Sequence, residues 1–145
     1  MNNLENKPLF EHITLIGAGL IGSSLARAIK HHNLAGQITV VARSQATLDT
    51  MITLDLTNNT TLDVVEAVQN ADLVMLCTPL GAYKGIAQSI GPALKPGAII
   101  SDVGSCKNIM FSDVAPHLPD NIHMVPGHPV AGTEHSGPEA GFAEL

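Results

Sequence analysis

Three glycines near the start of the chain have the neighbours and the spacing that phosphate binding requires. Gly17, Gly19 and Gly22 follow the apolar, β-branched run 13–16, and a helix-compatible run follows them. Gly17 then permits a tight turn, Gly19 lets a pyrophosphate approach the backbone, and Gly22 lets the helix pack against the sheet. The free amides at the helix N-terminus face the phosphates. The predicted cofactor-binding residues here are Gly17, Gly19, Leu20, Ile21 and Gly22. The alternative is a glycine-rich turn without a ligand.

Polar residues with acid–base and anion-binding chemistry occur later in the chain. Ser105 and Lys107 open a predicted helix, where a hydroxyl and a cation can meet an anionic substrate. His128 precedes a proline, which holds its backbone extended. An imidazole can take the proton of an alcohol as a hydride leaves. Glu134 and His135 follow closely enough to line the same pocket. The alternatives are a buried, backbone-bonded His128 and a solvated 134–135 loop.

The end of the second predicted strand bears on the choice of cofactor. NAD-binding domains usually carry an acid there for the ribose 2′-hydroxyl, but this chain has Ala42-Arg43-Ser44. Arg43 could bind a 2′-phosphate and Ser44 could hydrogen-bond it, which favours NADP. Alternatively, Arg43 is a surface charge or stacks on adenine, which leaves NAD usable. Ser44 is also the predicted N-cap of the next helix.

Strands and helices alternate along the chain, which predicts an α/β fold with a doubly wound parallel sheet. The predicted strands are 12–16, 38–42, 73–77, 98–102 and 121–125, with a short one within 56–61. The predicted helices are 20–31, 45–54, 62–69, 82–93 and 107–117. Ligands of such sheets lie beyond the carboxyl ends of the strands. This places four further residues at the cofactor cleft: Thr78, Pro79, Asp102 and Gly104.

Composition excludes several classes of function. The chain has 145 residues, enough for one domain, and 45% of them are hydrophobic. A net charge of −6 argues against nucleic acid as a partner. No apolar run reaches the roughly 20 residues of a membrane span, and the N-terminus lacks the pattern of a signal peptide, so we expect a cytoplasmic protein. The cysteines, Cys77 and Cys106, are too few for a disulfide framework, and no metal site is predicted.

Three motifs together resemble the prephenate/arogenate (cyclohexadienyl) dehydrogenases of tyrosine biosynthesis. They are the glycine segment 17–26, Ser101-Asp102-Val103-Gly104-Ser105-Cys106-Lys107, and Gly127-His128-Pro129-Val130-Ala131-Gly132-Thr133-Glu134-His135-Ser136-Gly137. Many Rossmann proteins share the first motif, whereas the third is much more specific. The similarity runs from about residue 12 to residue 145.

This resemblance implies an oxidative decarboxylation of prephenate to 4-hydroxyphenylpyruvate, or of arogenate to tyrosine, with hydride transfer to NADP or NAD. It implies that His128 takes the proton of the ring hydroxyl, that Ser105 hydrogen-bonds this hydroxyl and His128, and that Thr133 and Glu134 shape the pocket. The expected catalytic residues are therefore His128 and Ser105. The expected substrate-binding residues are Ser105, Lys107, His128, Thr133, Glu134 and His135.

The chain departs from the family in two ways. Cys106 stands where the family more often has Thr or Val, a change that concerns packing. The family also continues into a helical second domain that forms a homodimer and contributes to substrate binding. We therefore expect residues 1–11 to be a polar lead-in and 12–145 to be a cofactor domain that turns over poorly alone. Two alternatives remain, a β-hydroxyacid or 6-phosphogluconate-type dehydrogenase and a non-catalytic nucleotide-sensing module.

Overall fold

A computed structural model describes residues 7–145, so most of the predicted lead-in, residues 1–6, lies outside the described residues. Six parallel strands form one sheet in the order β3-β2-β1-β4-β5-β6. The strands are β1 (Phe10–Ile16), β2 (Ala35–Val41), β3 (Asn59–Thr61), β4 (Leu73–Leu76), β5 (Ile99–Asp102) and β6 (His123–Val125). The α-helices are α1 (Leu20–His31), α2 (Gln45–Thr53), α3 (Val64–Val68) and α4 (Tyr83–Ile90). This is the doubly wound Rossmann arrangement that the alternation of elements predicts.

The central strands of the sheet contribute apolar side chains to two core clusters, one on each face. On one face, Ile13 and Leu15 of β1 pack with Leu48 and Met51 of α2. On the other face, β4 and β5 pack against α3 and α4, with Tyr83 fully buried among aliphatic side chains. The two layers hold the strands in one register and bring their carboxyl ends to a common edge.

Several element boundaries differ from the predicted ones. β1 begins at Phe10 and β2 at Ala35, because Phe10 pairs with Ala35 and the ladder continues beyond the apolar run. The predicted helix 107–117 is instead a π-helix over Met110–Val114 followed by a 3₁₀ turn over Ala115–His117. Pro116 explains the change, since proline lacks an N–H and clashes with the carbonyl four residues earlier in an α-helix.

The predicted helix 82–93 is α-helical only over Tyr83–Ile90. A 3₁₀ turn flanks it on each side, Leu80–Ala82 before and Gly91–Ala93 after. Pro92, near the start of the second turn, again removes a helical donor.

The C-terminal tail, residues 126–145, returns from the edge strand β6 to helix α1. Residues 126–137 contain no helix or strand, and a 3₁₀ turn follows at Pro138–Ala140. Arg27 of α1 donates from Nε to the Gly141 carbonyl at 2.7 Å and from Nη2 to the Pro138 carbonyl at 3.1 Å. Ser24 Oγ accepts from the Phe142 amide at 3.1 Å. The tail therefore passes along the carboxyl edge of the sheet and is fastened to α1.

Within the described residues, no helix is long and apolar enough to cross a membrane.

Candidate functional site

The glycine loop between β1 and α1 is a close-packed turn. Gly17 has φ +109°, and a Cβ there would lie 2.6 Å from the carbonyl oxygen of Cys77. Its amide donates to the Val41 carbonyl at 2.8 Å, which joins the loop to the end of β2. A Cβ on Gly22 would collide with the carbonyl oxygen of Gly17. The backbone of β1, β2, β4 and α1 thus requires glycine at both positions.

Gly19 is required neither by its conformation nor by packing within the described chain. It is the N-cap of α1, with φ −79°, and no side chain among residues 7–145 caps this helix end. A Cβ on Gly19 would meet no atom of those residues within 4 Å. The space beside Gly19 is therefore open at the N-terminus of α1, where first-turn amides have no intrahelical acceptor, and this suits an anion at the positive end of the helix.

Thr78 places an unpartnered polar atom next to this loop. Its Oγ1 is buried and has no hydrogen-bond partner among the described residues. The Thr78 amide nitrogen would lie 3.1 Å from a Cβ on Gly17, so the two residues are neighbours. A buried hydroxyl without a partner is unfavourable, and a polar group of a ligand would satisfy it. Pro79 follows as an exposed residue at the start of a 3₁₀ turn.

The open helix end and the unpartnered Thr78 hydroxyl fit a dinucleotide. Cys77, between the loop and Thr78, is a packing residue. Burial, and to a smaller extent the charge of Asp102, raises the pKa of its thiol to about 12.

Arg43 and Ser44 follow β2, whose last carbonyl binds Gly17. Ser44 is the N-cap of α2, as predicted, and its Oγ accepts from the Thr47 amide at 3.3 Å. Arg43 is exposed and has no hydrogen bond or ion pair with any described residue. Its guanidinium is therefore available to a ligand beside the glycine loop.

Asp102, at the end of β5, accepts hydrogen bonds from four groups of this chain. Its side chain is fully buried. Oδ2 accepts from Tyr83 Oη at 3.2 Å, from the Gly104 amide at 2.9 Å and from Lys107 Nζ, and Oδ1 accepts from the Gly127 amide at 3.1 Å. A buried carboxylate needs such donors. A contact of Asp102 with a cofactor stays a prediction, although its carboxylate already has these four partners.

Lys107 joins the 103–107 loop to the 126–128 segment. Its Nζ donates to Asp102 and also to the Gly127 carbonyl. An ammonium has three donors, so two of them are used within the chain. Ser105 lies between Asp102 and Lys107 and is exposed, as is His128 directly after Gly127. Asp102 and Lys107 therefore connect the two short segments that carry the predicted catalytic residues.

The remaining predicted residues, Thr133, Glu134 and His135, lie in the exposed part of the tail. The His135 amide donates to Thr133 Oγ1 at 3.2 Å, and its Nε2 is 3.7 Å from a Glu134 carboxylate oxygen. These are local contacts, and the structure places the three side chains at the surface. Sequence reasoning did not find Tyr83 or Arg27, because a buried tyrosine and a helical arginine carry no motif.

The sequence matches the family described as prephenate dehydrogenase, nucleotide-binding domain, over residues 25–145. It is 45% identical to cyclohexadienyl dehydrogenase of Zymomonas mobilis, over 94% of this chain and 46% of that protein. It is 29% identical to prephenate dehydrogenase of Bacillus subtilis, over 86% of this chain and 34% of that protein. The chain thus spans half or less of the length of these relatives.

Solved structures show the same similarity. Prephenate dehydrogenase from Aquifex aeolicus, in complex with hydroxyphenyl propionate and NAD+, superposes with a TM-score of 0.82 at 25% identity, over 98% of this chain and 48% of that one. Arogenate dehydrogenase from Synechocystis superposes with a TM-score of 0.80 at 28% identity, over 90% of this chain and 45% of that one. With the glycine loop and the fold, these matches show that the chain belongs to the prephenate dehydrogenase family, as its nucleotide-binding domain.

Proposed function

We propose that this chain binds a nicotinamide dinucleotide and supplies the base for oxidative decarboxylation of prephenate or arogenate. The observation that supports this most is a shared location. The open N-terminus of α1 and the segment that carries His128 both lie at the carboxyl edge of the sheet, where ligands of this fold bind. The names of the relatives indicate the substrate class.

The first-turn amides of α1 would hold the pyrophosphate, and the Thr78 hydroxyl would donate to a polar atom of the dinucleotide. When bound, the nicotinamide accepts a hydride. The contribution of the chain is to hold the pyrophosphate at the N-terminus of α1, next to the narrow turn at Gly17. Pro79 and Gly104 would border the cleft at the ends of β4 and β5.

His128 would act on the ring hydroxyl of the substrate. As C4 loses its hydride, the imidazole takes the hydroxyl proton, and the bond between C1 and the ring carboxylate breaks with loss of CO₂. The electron pair of that bond makes the ring aromatic, and the imidazole returns the proton to the ring oxygen, which leaves the phenol of the product. Ser105 would hydrogen-bond the same hydroxyl and keep it aimed at His128. Thr133, Glu134 and His135 would border the substrate from the tail. The exposure of His128 and Ser105 makes both side chains accessible to a ligand.

NADP is the favoured cofactor in this proposal, with NAD as the alternative. Arg43 is exposed beside the loop without an internal partner in the described chain, and Ser44 Oγ is directed toward the N-terminus of α2. A guanidinium and a hydroxyl there can bind a 2′-phosphate. A calorimetric titration with NADPH and NADH tests this. We expect tighter NADPH binding, and a reversal in Arg43→Asp; equal affinity for both in the unmodified chain would contradict the role of Arg43.

The activity is tested in a chimera in which this chain replaces the matching segment of the Zymomonas mobilis enzyme. We expect prephenate- or arogenate-dependent reduction of NADP or NAD. His128→Asn should lower kcat by about 10²- to 10⁴-fold and retain cofactor binding, since only proton transfer is removed. His123→Asn, at an exposed position of β6, is the matched control. Undiminished turnover in His128→Asn would exclude His128 as the base.

A further inference from the structure

We propose that Asp102 and Lys107 are positioning residues, which fix the peptide before His128 relative to the loop that carries Ser105. The three residues Asp102, Lys107 and Gly127 are called the Gly127 clasp below. The role of His128 in this inference rests on the proposed function, whereas the contacts of the clasp do not.

Both backbone groups of Gly127 are bound in the clasp. Its amide donates to Asp102 Oδ1 at 3.1 Å, and its carbonyl accepts from Lys107 Nζ. The same ammonium donates to Asp102 Oδ2, which closes a ring of three residues. Because the Gly127 carbonyl belongs to the peptide bond of His128, the clasp fixes the backbone from which the imidazole projects. Pro129 restricts that backbone from the other side.

The packing around the clasp leaves no room for a side chain at Gly127 or Gly104. A Cβ on Gly127 would lie 2.9 Å from the Asp102 carbonyl oxygen and 3.3 Å from Ser101 Oγ. A Cβ on Gly104 would collide with Leu80 Cδ2 and would lie 3.0 Å from both Asp102 Oδ2 and Tyr83 Oη. Glycine at these two positions lets both loops approach one buried carboxylate. Tyr83, the first residue of α4, is a further hydrogen-bond donor to the Asp102 carboxylate.

The charges explain why a cation is needed at position 107. The Asp102 side chain is fully buried and the Lys107 side chain is 31% exposed. A buried carboxylate without a cation is strongly unfavourable, so the ammonium and its two acceptors form one unit. Replacing Lys107 frees the Gly127 carbonyl and leaves Asp102 with neutral donors. The expected result is a mobile 127–128 backbone rather than an unfolded domain, because the sheet contacts remain.

The sheet offers a matched control at its opposite edge. Lys95 donates to Asp72, which in turn accepts from the amides of Glu11 and His12. The side chains are 38% and 27% exposed. Lys95→Met thus breaks a lysine–aspartate pair that also binds two backbone amides. This pair lies at the amino ends of the strands, whereas His128 lies at their carboxyl ends.

The experiment compares Lys107→Met, Lys107→Arg and Lys95→Met in the whole 145-residue chain. It measures ¹⁵N order parameters of Gly127 and His128, the ring Cε1–H resonance of His128, and the dissociation constant for NADPH. In Lys107→Met we expect both order parameters to fall from about 0.85 to below about 0.6, with a shifted His128 resonance. Arginine should restore them, and Lys95→Met should not change them. NADPH affinity should stay within about twofold in every variant, since the glycine loop is untouched.

Unchanged order parameters and ring resonance in Lys107→Met would overturn the proposal, as would a tenfold loss of NADPH affinity. Asp102→Asn provides a second variant, for which the same loss of order at Gly127 is expected. None of these measurements requires turnover. Absence of activity in the chimera would therefore refute the proposed function and leave the spectra to decide the positioning role.

Discussion

Replacing Gly19 by alanine should weaken dinucleotide binding while leaving the fold intact. The N-cap backbone at φ −79° suits any L-residue, and the added Cβ meets no described atom within 4 Å. Because alanine has fewer backbone conformations than glycine in the unfolded chain, the substitution stabilises the folded state by about 0.4–1 kcal/mol. Alanine is a poorer N-cap than glycine by a similar amount. The free energy of unfolding should therefore change by less than about 0.5 kcal/mol.

The same methyl group occupies the space in which a pyrophosphate would contact the first-turn amides. Forcing a methyl group into a filled contact costs about 1–3 kcal/mol, which corresponds to about a 5- to 150-fold weaker dissociation constant. Urea unfolding and calorimetric titration with NADPH and NADH measure the two quantities on the same protein. Gly22→Ala should impair both, because its Cβ collides with the Gly17 carbonyl.

The control is Gly85→Ala, in the first turn of α4, where a Cβ also meets nothing within 4 Å. It should stabilise the fold by about 0.5–1 kcal/mol, because alanine is a better helix former, and leave binding unchanged. If Gly19→Ala binds both nucleotides like the unmodified chain, the N-terminus of α1 is not the pyrophosphate site. If it unfolds the chain, Gly19 has a structural role that its surroundings do not reveal.

Three further changes test other parts of the structure. Tyr83→Phe removes a buried hydroxyl that lies 3.2 Å from both Asp102 Oδ2 and the Leu76 carbonyl oxygen. It should lower the free energy of unfolding by about 1.5–3 kcal/mol in urea titration, and a change below about 0.5 kcal/mol would contradict these contacts. Burial lowers the pKa of His12, so the unfolded chain binds more protons below about pH 6.5 and stability falls as pH decreases. His12→Gln should reduce the pH dependence of the melting temperature between pH 5 and 7.5. An unchanged pH dependence would show that another group causes it. Arg27→Met removes two hydrogen bonds to the tail and should speed its cleavage by protease at least severalfold, whereas Arg43→Met should not.

The fold could be predicted from the sequence because strand, turn and helix patterns are local. The run 13–16, the glycine spacing and the apolar run at 73–76 determine a buried strand, a phosphate-type turn and a second buried strand by themselves. The ends of elements were harder to predict. Strand β1 begins at Phe10 because its partner Ala35 is available, a fact of pairing that no single segment contains. The π-helix at Met110–Val114 likewise depends on how Pro116 is accommodated.

The candidate site was predictable as a set of loops but not as a set of contacts. The motifs place Asp102, Lys107 and His128 at one edge, since the carboxyl ends of parallel strands meet there. They do not reveal that Lys107 and Asp102 bind each other and Gly127. A polar residue in a sequence motif is readily assigned to a ligand. A buried carboxylate, however, needs hydrogen-bond donors, and these can come from the chain itself.

The number of donors and acceptors already used within the chain separates these cases. Asp102 receives four hydrogen bonds and Lys107 gives two, so little of either remains for a small molecule. Thr78 Oγ1 is buried without a partner, and Arg43 is exposed without one, among the residues that the structure describes. By this criterion Thr78 and Arg43 are stronger candidates for ligand contact than Asp102 and Lys107. The criterion makes a joint prediction: Thr78→Val should weaken cofactor binding more than Lys107→Met, although threonine and valine are nearly the same size and lysine carries the charge.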